Sequence, residues 1–391
     1  MSETKRSIIS GMSILSEGKW LKDQALVIEG GIIKALIPAD MIKHHLPAKQ
    51  YAFPSDHYLV PGFIDLHIHG VQGHDVMDGT EEALINISQA LAAEGVTGFL
   101  ATTMTTDVDH LENVLKVIAK VAAHHKEGAA LLGAHLEGPF IAPSKLGAHA
   151  SETVRLPDLS LIKHWQNIAK NKIKMVTLAP ELPDSQAFIR QLHDLEIIAS
   201  IGHTNATYEE TRAAIAAGCT QATHLFNAMR GLHQREPGAV SALLLADEIS
   251  AEIIVDGLHL HPAIVDLTLR LKGKDRILLV TDAMRAKCCR DGRYELGGQQ
   301  VNVRNGKATL DDGTLAGSTL RMPEAIRNMT QFTQCLIDEA ITMASKNPAR
   351  VLKLAERKGD IMIGKDADVV VINPDFKVML TMRAGKEIYL A

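Results

Sequence analysis

Short apolar runs alternate with amphipathic stretches through the middle of the chain, from about residue 60 to residue 354. Apolar runs bounded by turn residues predict buried β-strands, and apolar positions at helical spacing between them predict α-helices. Strands alternating with helices are typical of an α/β fold, and eight strand candidates favour a (β/α)8 TIM-like barrel. We predict strands at 60–67, 98–102, 131–136, 174–178, 197–201, 221–224, 250–255 and 277–281, with helices that include 81–94, 110–125, 184–194 and 208–217.

A doubly wound open sheet is the alternative α/β architecture for this pattern. Such sheets often bind dinucleotides, but no Gly-x-Gly-x-x-Gly motif follows the first strand. Near the last strand, residues 293–310 contain further short apolar segments, which predict an inserted hairpin. This hairpin could flank a functional site.

The two ends of the chain are rich in short β segments instead. The pair Gly30-Gly31 separates two apolar runs, which indicates a hairpin, and similar runs recur at 368–374, 378–380 and 387–389. Chain termini often lie close together in folded proteins. We therefore predict one small β-sandwich domain built from residues 1–60 plus 361–391, and a barrel domain from residues 61–360.

The first barrel strand ends in Asp65-Leu66-His67-Ile68-His69. Side chains alternate between the two faces of a strand, so His67 and His69 point the same way and can bind one ion. Histidines in strands are also found as hydrogen-bonded core residues. The pair alone therefore leaves both interpretations open.

The composition excludes several classes of partner. Apolar residues make up 46% and charged residues 22% of the chain, as in ordinary globular proteins. The net charge of −5 comes without a long basic run, which argues against nucleic acid. No apolar run is long enough to span a membrane. An anionic substrate would have to be held by a few local cations.

The cysteines and the N-terminus favour a cytoplasmic location. The four cysteines form no CxxC pair or disulfide framework, as expected in a reducing compartment. Residues 1–7 lead into no apolar core of the kind that a signal peptide needs. The adjacent Cys288 and Cys289 could be a soft metal pair, but we interpret them as small buried apolar residues.

Histidines and carboxylates recur at the predicted C-terminal ends of the strands, where barrels of this kind carry their active sites. Imidazole and carboxylate ligands suit a divalent ion such as Zn²⁺, Fe²⁺, Mn²⁺ or Co²⁺. A free carboxylate, Asp282, could then serve as a base toward water. The polar residues at or just after strand ends are His67, His69, His135, Glu137, His203, His224, Asp256, His259 and Asp282.

Several longer motifs carry a resemblance to a known family. The chain resembles the amidohydrolase superfamily and, within it, the N-acetylglucosamine-6-phosphate deacetylases, over nearly its whole length. The motifs occur in the order of that family. They are residues 61–70 (PGFIDLHIHG), 135–140 (HLEGPF), 202–207 (GHTNAT), 222–229 (ATHLFNAM), 235–238 (REPG), 256–259 (DGLH), 281–283 (TDA) and 312–318 (DGTLAGS).

For the metal, the resemblance implies that Glu137, His203 and His224 hold the principal divalent ion. In members with His-x-His on the first strand, that pair adds a second ion bridged by the glutamate, whereas members with a different pair use one ion. The resemblance therefore implies one or two ions per subunit, and the presence of His67 and His69 implies two. The resemblance leaves Zn, Fe, Mn and Co open.

For the substrate, the resemblance implies an amino-sugar phosphate. Asn227 and Ala228 would contact the phosphate, with Arg235 and His259 as its cations. In this family the arginine can come from the neighbouring subunit, which implies a homodimer. The remaining expected substrate contacts are Ala148, His149 at the acetyl carbonyl, and Leu315, Ala316 and Gly317 over the sugar.

For the reaction, the resemblance implies metal-dependent hydrolysis of the N-acetyl group of N-acetylglucosamine 6-phosphate in amino-sugar catabolism. Asp282 would act as base and then as acid. One alternative is the same reaction on the 4-epimer, N-acetylgalactosamine 6-phosphate, because no residue is identified as a reader of that hydroxyl. The other is a non-catalytic metal-binding barrel, against which the presence of Asp282 beside the Glu-His-His set argues.

Overall fold

A sheet of eight parallel strands forms the centre of the computed structural model, which describes residues 6–391. Each strand pairs with the strand that follows it along the chain. All eight predicted strands are therefore confirmed, with small shifts in their ends. They are β1 (Phe63–Ile68), β2 (Val96–Thr103), β3 (Ala130–Glu137), β4 (Ile173–Leu178), β5 (Ile198–Ile201), β6 (Gln221–Ala222), β7 (Ser250–Ile253) and β8 (Ile277–Leu279).

The sheet closes into a barrel through the residues that follow β8. Asp282 N donates a hydrogen bond to His67 O at 2.8 Å, and His69 N donates to Ala283 O at 2.9 Å. A parallel bridge joins Ile68 and Ala283. This closure confirms the TIM-like barrel and excludes the doubly wound open sheet.

Helices surround the barrel and bury their apolar faces against it. Thr80, Asp107 and Thr207 each cap the start of a helix by accepting a backbone N–H, which explains where these helices begin. The helices are α1 (Glu81–Ala92), α2 (Val108–His124), α3 (Leu159–Ile168), α4 (Ser185–Asp194), α5 (Tyr208–Ala217), α6 (Gly238–Leu245), α7 (Pro262–Lys272), α8 (Met322–Thr333), α9 (Ile337–Ala344) and α10 (Lys346–Val351), with 3-10 turns at Ala39–His45, Val76–Asp78, Ser151–Thr153 and Lys274–Arg276.

Strands from both ends of the chain build a second, smaller unit of two sheets, as predicted. Buried residues of the two sheets, including Ile9, Leu26, Leu59 and Val371, share one apolar core. One sheet has the order Ile32–Pro38, Gln24–Glu29, Ser7–Ser10, Lys49–Ala52. The other has the order Lys386–Leu390, Val378–Arg383, Val369–Ile372, Tyr58–Pro61, Ser13–Ser16, Lys19–Leu21.

The hairpin predicted at Gly30-Gly31 is confirmed. The strands Gln24–Glu29 and Ile32–Pro38 pair antiparallel around it, with φ of +64° at Gly30 and +83° at Gly31. Both values lie in the left-handed region that glycine adopts without a Cβ clash. Residues 1–5 lie outside the described residues. They belong to the predicted small domain and to the segment in which we predicted no signal peptide.

The insertion predicted near the last barrel strand has three strands rather than the two of a hairpin. They are Gly292–Leu296, Gln299–Arg304 and Lys307–Thr309. Buried Leu296 and Val301 pack in one cluster with Met104 and Ala148, so the insertion covers part of the C-terminal face of the barrel. Two further short strands, Gly70–Val71 and His74–Asp75, follow β1.

None of the helices described between residues 6 and 391 combines the length and the apolar character that crossing a membrane requires.

Candidate active site

The side chains predicted as metal ligands converge on Glu137, the last residue of β3. Its Oε1 lies 2.9 Å from His224 Nε2 and 3.1 Å from His203 Nε2. Its Oε2 lies 3.3 Å from His69 Nε2. His67 Nε2 is 3.5 Å from Oε1 of the same carboxylate. Four imidazoles from three parts of the barrel therefore face one glutamate.

Asp282 completes this cluster from the residues that follow β8. Its Oδ1 lies 3.1 Å from His69 Nε2 and 3.5 Å from His67 Nε2. The side chain is 11% exposed, whereas that of His67 is 0% exposed. Asp282 thus lies at the open side of the cluster, where a substrate can reach it, and His67 lies beneath.

Local backbone conformation directs three of these side chains. His203, His224 and Asp282 follow their strands with φ of +48°, +29° and +48°. Non-glycine residues rarely adopt positive φ, and such strain is common at functional sites. Before His203, Gly202 has no room for a side chain, because a Cβ there would lie 2.8 Å from carbon atoms of both Thr177 and Thr223.

Hydrogen bonds at Nδ1 fix the orientation of the imidazoles. His203 Nδ1 lies 2.8 Å from Lys145 O, and His69 Nδ1 lies 3.2 Å from Thr102 O. Because a carbonyl oxygen only accepts, both rings carry a proton on Nδ1 and direct Nε2 toward Glu137. Metal-binding histidines are held in this way, with the second nitrogen donating to a carbonyl or carboxylate.

The donor set fits a divalent cation. His203 Nε2 and His224 Nε2 are 3.1 Å apart and face the same oxygen of Glu137. His67 Nε2 is buried with no hydrogen-bond partner among the described residues. Imidazole nitrogens and carboxylate oxygens that meet without satisfying one another form a typical site for Zn²⁺ or a similar ion.

The titration of the cluster reflects this crowding. Burial alone would raise the pKa of Glu137, but the surrounding histidines hold it well below its usual value. Burial likewise would lower the pKa of His69, but hydrogen bonds to Asp282 and Glu137 raise it to about 9. The two carboxylates therefore remain charged, and they favour positive charge at the histidines, whether from protons or from a metal ion.

His149 differs from the other histidines of the site because its Nδ1 accepts a hydrogen bond. Thr105 N donates to His149 Nδ1 at 3.2 Å. Burial lowers the pKa of His149 to about 4. The neutral ring must then carry its proton on Nε2, which lies 3.4 Å from Glu137 Oε2. His149 consequently presents an N–H donor to the site.

A cavity of about 360 Å³ opens above the cluster. This volume lies in the range of small-molecule sites. Three of the predicted site residues do not line the cavity. His67 and Ala316 are buried, and Arg235 is exposed outside it. The predicted residues that line it are His69, Glu137, Ala148, His149, His203, His224, Asn227, Ala228, His259, Asp282, Leu315 and Gly317.

At one side of the cavity, His259 pairs with Asp256. His259 Nδ1 lies 2.7 Å from Asp256 Oδ2. Burial would lower the pKa of His259, but the hydrogen bond to Asp256 raises it above its usual value. The backbone of Ala228 accepts a hydrogen bond from Thr204 N at 3.0 Å, which fixes the loop after β6 beside His203. This side of the cavity can bind an anion.

Several lining residues were not predicted from the sequence. Ser144 to Gly147 lie in the loop between Glu137 and Ala148. Glu137 and Ala148 themselves were predicted as site residues. The position of this loop after the end of β3 is the signal that could have found Ser144 to Gly147. Leu296 comes from the insertion that was expected to flank a site. The other unpredicted lining residues are Met104, which follows β2, and Thr314, which precedes Leu315.

His135, Cys288 and Cys289 do not line the cavity. His135 Nδ1 lies 3.2 Å from Leu66 O and its Nε2 2.7 Å from Thr177 Oγ1, so it is a hydrogen-bonded core residue. The interpretation of Cys288 and Cys289 as buried was wrong, because both are exposed on the loop after Ala283. All four cysteines are free.

Comparison with known proteins places this geometry in a family. Residues 58–388 match the model of the amidohydrolase family. The N-acetylglucosamine-6-phosphate deacetylase of Bacillus subtilis (strain 168) is 41% identical over 98% of this chain and 97% of its own length. The N-acetylgalactosamine-6-phosphate deacetylase of Escherichia coli O157:H7 is 37% identical over 95% of this chain and 96% of its own length.

A solved structure agrees with the fold. The crystal structure of N-acetylglucosamine-6-phosphate deacetylase from Pasteurella multocida superposes with a TM-score of 0.92 at 31% identity. The match covers 98% of this chain and 99% of that protein. The barrel, the insertion and the two-sheet unit therefore all have counterparts in a full-length relative.

Proposed function

The chain belongs to the amidohydrolase family, and on that premise we propose that it hydrolyses the N-acetyl group of N-acetylglucosamine 6-phosphate. The products are glucosamine 6-phosphate and acetate. One observation carries the proposal: the carboxylates Glu137 and Asp282 and their histidines face a cavity of small-molecule size at the catalytic end of a barrel. Full-length relatives that bear this activity in their names support it.

The ring nitrogens that face Glu137 support the metal ligands that we propose. Glu137, His203 and His224 would hold the principal ion, and His67 and His69 would hold a second one. A divalent ion in such a site supplies Lewis acidity, which lowers the pKa of water and polarises a carbonyl. The nitrogen and oxygen ligands suit Zn²⁺, Fe²⁺, Mn²⁺ or Co²⁺, and we propose two ions per subunit.

Asp282 serves as the general base and then as the general acid. The histidines beside Asp282 outweigh the effect of burial and hold its pKa below the usual range, so it is ionised at neutral pH. Its Oδ1 faces the ring nitrogens of His67 and His69. From this position it accepts a proton from the attacking water and returns that proton to the amine that leaves.

His149 stabilises the oxygen of the acetyl carbonyl. His149 lines the cavity, its Nε2–H lies 3.4 Å from Glu137 Oε2, and the backbone N–H of Thr105 fixes the ring. A fixed donor aimed at an oxygen that gains negative charge stabilises the transition state without reorganisation. Since burial lowers the pKa of His149 to about 4, the ring remains a neutral donor at pH 7.

The phosphate and the sugar occupy the rest of the cavity. His259, whose pKa the hydrogen bond to Asp256 raises, would serve as a cation for the phosphate, and Asn227 and Ala228 would contact the phosphate from the loop after β6. Ala148 and the segment 315–317 lie against the sugar ring. Local charge suits a protein whose net charge is −5.

We propose that Arg235 acts in the neighbouring subunit of a homodimer. Its side chain is exposed and lies outside the cavity of its own chain, although its motif matches the phosphate-binding arginine of the family. Arginine binds phosphate oxygens with two parallel hydrogen bonds.

The free cysteines suit a reducing compartment, and we place the enzyme in the cytoplasm.

The 4-epimer remains the second candidate substrate, because the relative from Escherichia coli is named for it. The test is the steady-state kcat/KM of the metal-loaded protein on both epimers, measured by acetate release. We expect the glucosamine epimer to be preferred. A higher kcat/KM on the galactosamine epimer would assign the alternative substrate, and no acetate from either would refute the deacetylase.

A further inference from the structure

Glu252 is a charged residue in the core of the barrel, below the metal cluster. Glu252 lies in β7 between Ala251 and Ile253. It is fully buried, with 0% of its surface exposed, and it does not line the cavity. Burying an ionised carboxylate is costly unless hydrogen bonds or charges compensate it. A barrel core position that carries glutamate therefore requires an explanation.

The contacts of Glu252 lead directly to two predicted metal ligands. Its Oε2 lies 3.0 Å from His67 Nδ1. The same oxygen accepts a hydrogen bond from His224 N at 3.3 Å. His224 has a φ of +29°, so this second bond also holds a strained backbone position. One carboxylate thus links a ligand on β1 to a ligand that follows β6.

The hydrogen bond determines which nitrogen of His67 faces the metal cluster. An ionised carboxylate only accepts, so His67 must donate from Nδ1. The lone pair of Nε2 then points toward Glu137 and Asp282, each 3.5 Å away. His69 and His203 are fixed instead by backbone carbonyls, which no side-chain substitution removes. His67 depends on a side chain.

We propose that Glu252 is a positioning residue that holds His67 in its metal-binding orientation and thereby controls the affinity of the second metal position. The inference rests on the proposed function in taking His67 as a metal ligand. Carboxylates that orient metal-binding histidines raise metal affinity by roughly 10- to 100-fold. Glu252 acts through His67 and touches neither the cavity nor a substrate.

A separate metal site at Glu252 is less consistent with the contacts. His67, His135 and Glu252 offer ligand atoms within 4.8 Å of one another. However, both nitrogens of His135 already bond to Leu66 O and Thr177 Oγ1. With His135 engaged, Glu252 and one nitrogen of His67 are too few ligands for a closed site.

The test is metal titration of the full-length protein with Zn²⁺, read by elemental analysis at fixed free metal concentrations. Glu252→Met removes the acceptor at similar length, and Glu252→Gln keeps an acceptor oxygen without the charge. We expect Glu252→Met to weaken the second zinc by 10- to 100-fold while the first zinc is retained, with Glu252→Gln recovering most of the loss. Unchanged affinity for the second zinc in Glu252→Met would overturn the inference.

A control and a second measurement separate positioning from general stability. Glu94→Gln alters another buried carboxylate, which pairs with Lys287 at 2.8 Å, and should leave both zinc affinities unchanged. In the zinc-loaded wild type, ¹⁵N NMR should find the proton of His67 on Nδ1. A proton on Nε2, or uptake of a single zinc by the wild type, would refute the role of Glu252. Acetate release by the wild type reports separately on the proposed function.

Discussion

A hydrogen bond at Nδ1 orients three of the imidazoles that we propose as metal ligands, and their Nε2 atoms face Glu137. His69 and His203 donate to main-chain carbonyls, and His67 donates to Glu252. His149 is reversed, since its Nδ1 accepts from Thr105 N and its Nε2 keeps the proton. Identical side chains thus present either a lone pair or an N–H at Nε2, depending on neighbours that are distant in sequence.

Replacing His149 tests the role of that donor. We expect His149→Phe to lower kcat by roughly 10²- to 10³-fold, as the loss of one oxyanion donor does. Metal content should be close to that of the wild type. The measurement is kcat and KM for acetate release, paired with elemental analysis. A kcat within a few-fold of the wild type would remove His149 from the mechanism.

The pH dependence tests the protonation state of the same residue. Because the pKa of His149 is lowered to about 4, the ring is neutral at pH 7 and gains charge only as the pH falls through about 4. Protonation of His149 should therefore cause no loss of kcat between pH 8 and pH 5. In an ¹⁵N NMR titration, a midpoint for His149 near that of free histidine would contradict the account.

At the scale of elements, strand β1 could be predicted closely from the sequence. An apolar run introduced by Pro61-Gly62 defines a buried strand, and its period of two places His67 and His69 on one face. The insertion was predicted less well, because a third strand at Lys307–Thr309 depends on pairing with Gln299–Arg304 rather than on its own apolar pattern. Long-range pairing of this kind is not encoded locally.

The histidine pair of β1 should determine the number of metal ions rather than the presence of activity. We expect His67→Gln combined with His69→Asn to lose about one ion per subunit while retaining measurable acetate release, because Glu137, His203 and His224 remain. His135→Gln is the control, since His135 lies in the core and should affect stability alone. An unchanged metal count in the double variant would contradict two-ion binding by this pair.

The segment between the last helix and the C-terminal strands is held by an ion cluster. Asp366 Oδ1 lies 2.9 Å from Arg357 and its Oδ2 3.0 Å from Lys358. Burial would raise the pKa of Asp366, but hydrogen bonds to these two cations lower it below 3.8. A lowered folded pKa contributes stability above about pH 3.8 that is lost as the pH falls through the folded value.

Substitution of Asp366 tests this contribution. We expect Asp366→Asn to lower the free energy of unfolding by about 1–3 kcal/mol at pH 7, because a partly buried cation loses its acceptor. The difference from the wild type should shrink as the pH falls below 3.8 and through the folded pKa of Asp366. Denaturant unfolding at pH 7 and at a series of acidic pH values measures it, with the exposed Asp375→Asn as control. A difference that is independent of pH would exclude the ion pairs as its cause.

At the scale of the molecule, the barrel and the two-sheet unit follow from the alternation of strands and helices and from the β-rich ends. The fold and the ligand cluster could therefore be predicted, since strand ends of a barrel meet at one face. The burial of Glu252 and the exposure of Cys288 could not, because they depend on which side chains of distant strands meet.

A mixed dimer tests whether Arg235 acts across the subunit interface. Arg235→Ala should raise KM for the sugar phosphate with little effect on metal content, and Asp282→Asn should abolish turnover. In a heterodimer of the two variants, one site regains both intact residues. We expect purified heterodimers to recover activity with the wild-type KM. If Arg235 serves its own chain, the heterodimer should keep the raised KM of Arg235→Ala. The exposed Arg270→Ala is the control for charge.

Asp282 provides the most direct test of the proposed hydrolysis, because its side chain is more exposed to the cavity than that of Glu137, 11% against 4%. The measurement is acetate released from N-acetylglucosamine 6-phosphate by wild type and Asp282→Asn at equal metal content. We predict that turnover falls by about 10²- to 10⁴-fold while substrate binding is retained. Turnover of the variant comparable to that of the wild type would contradict the account.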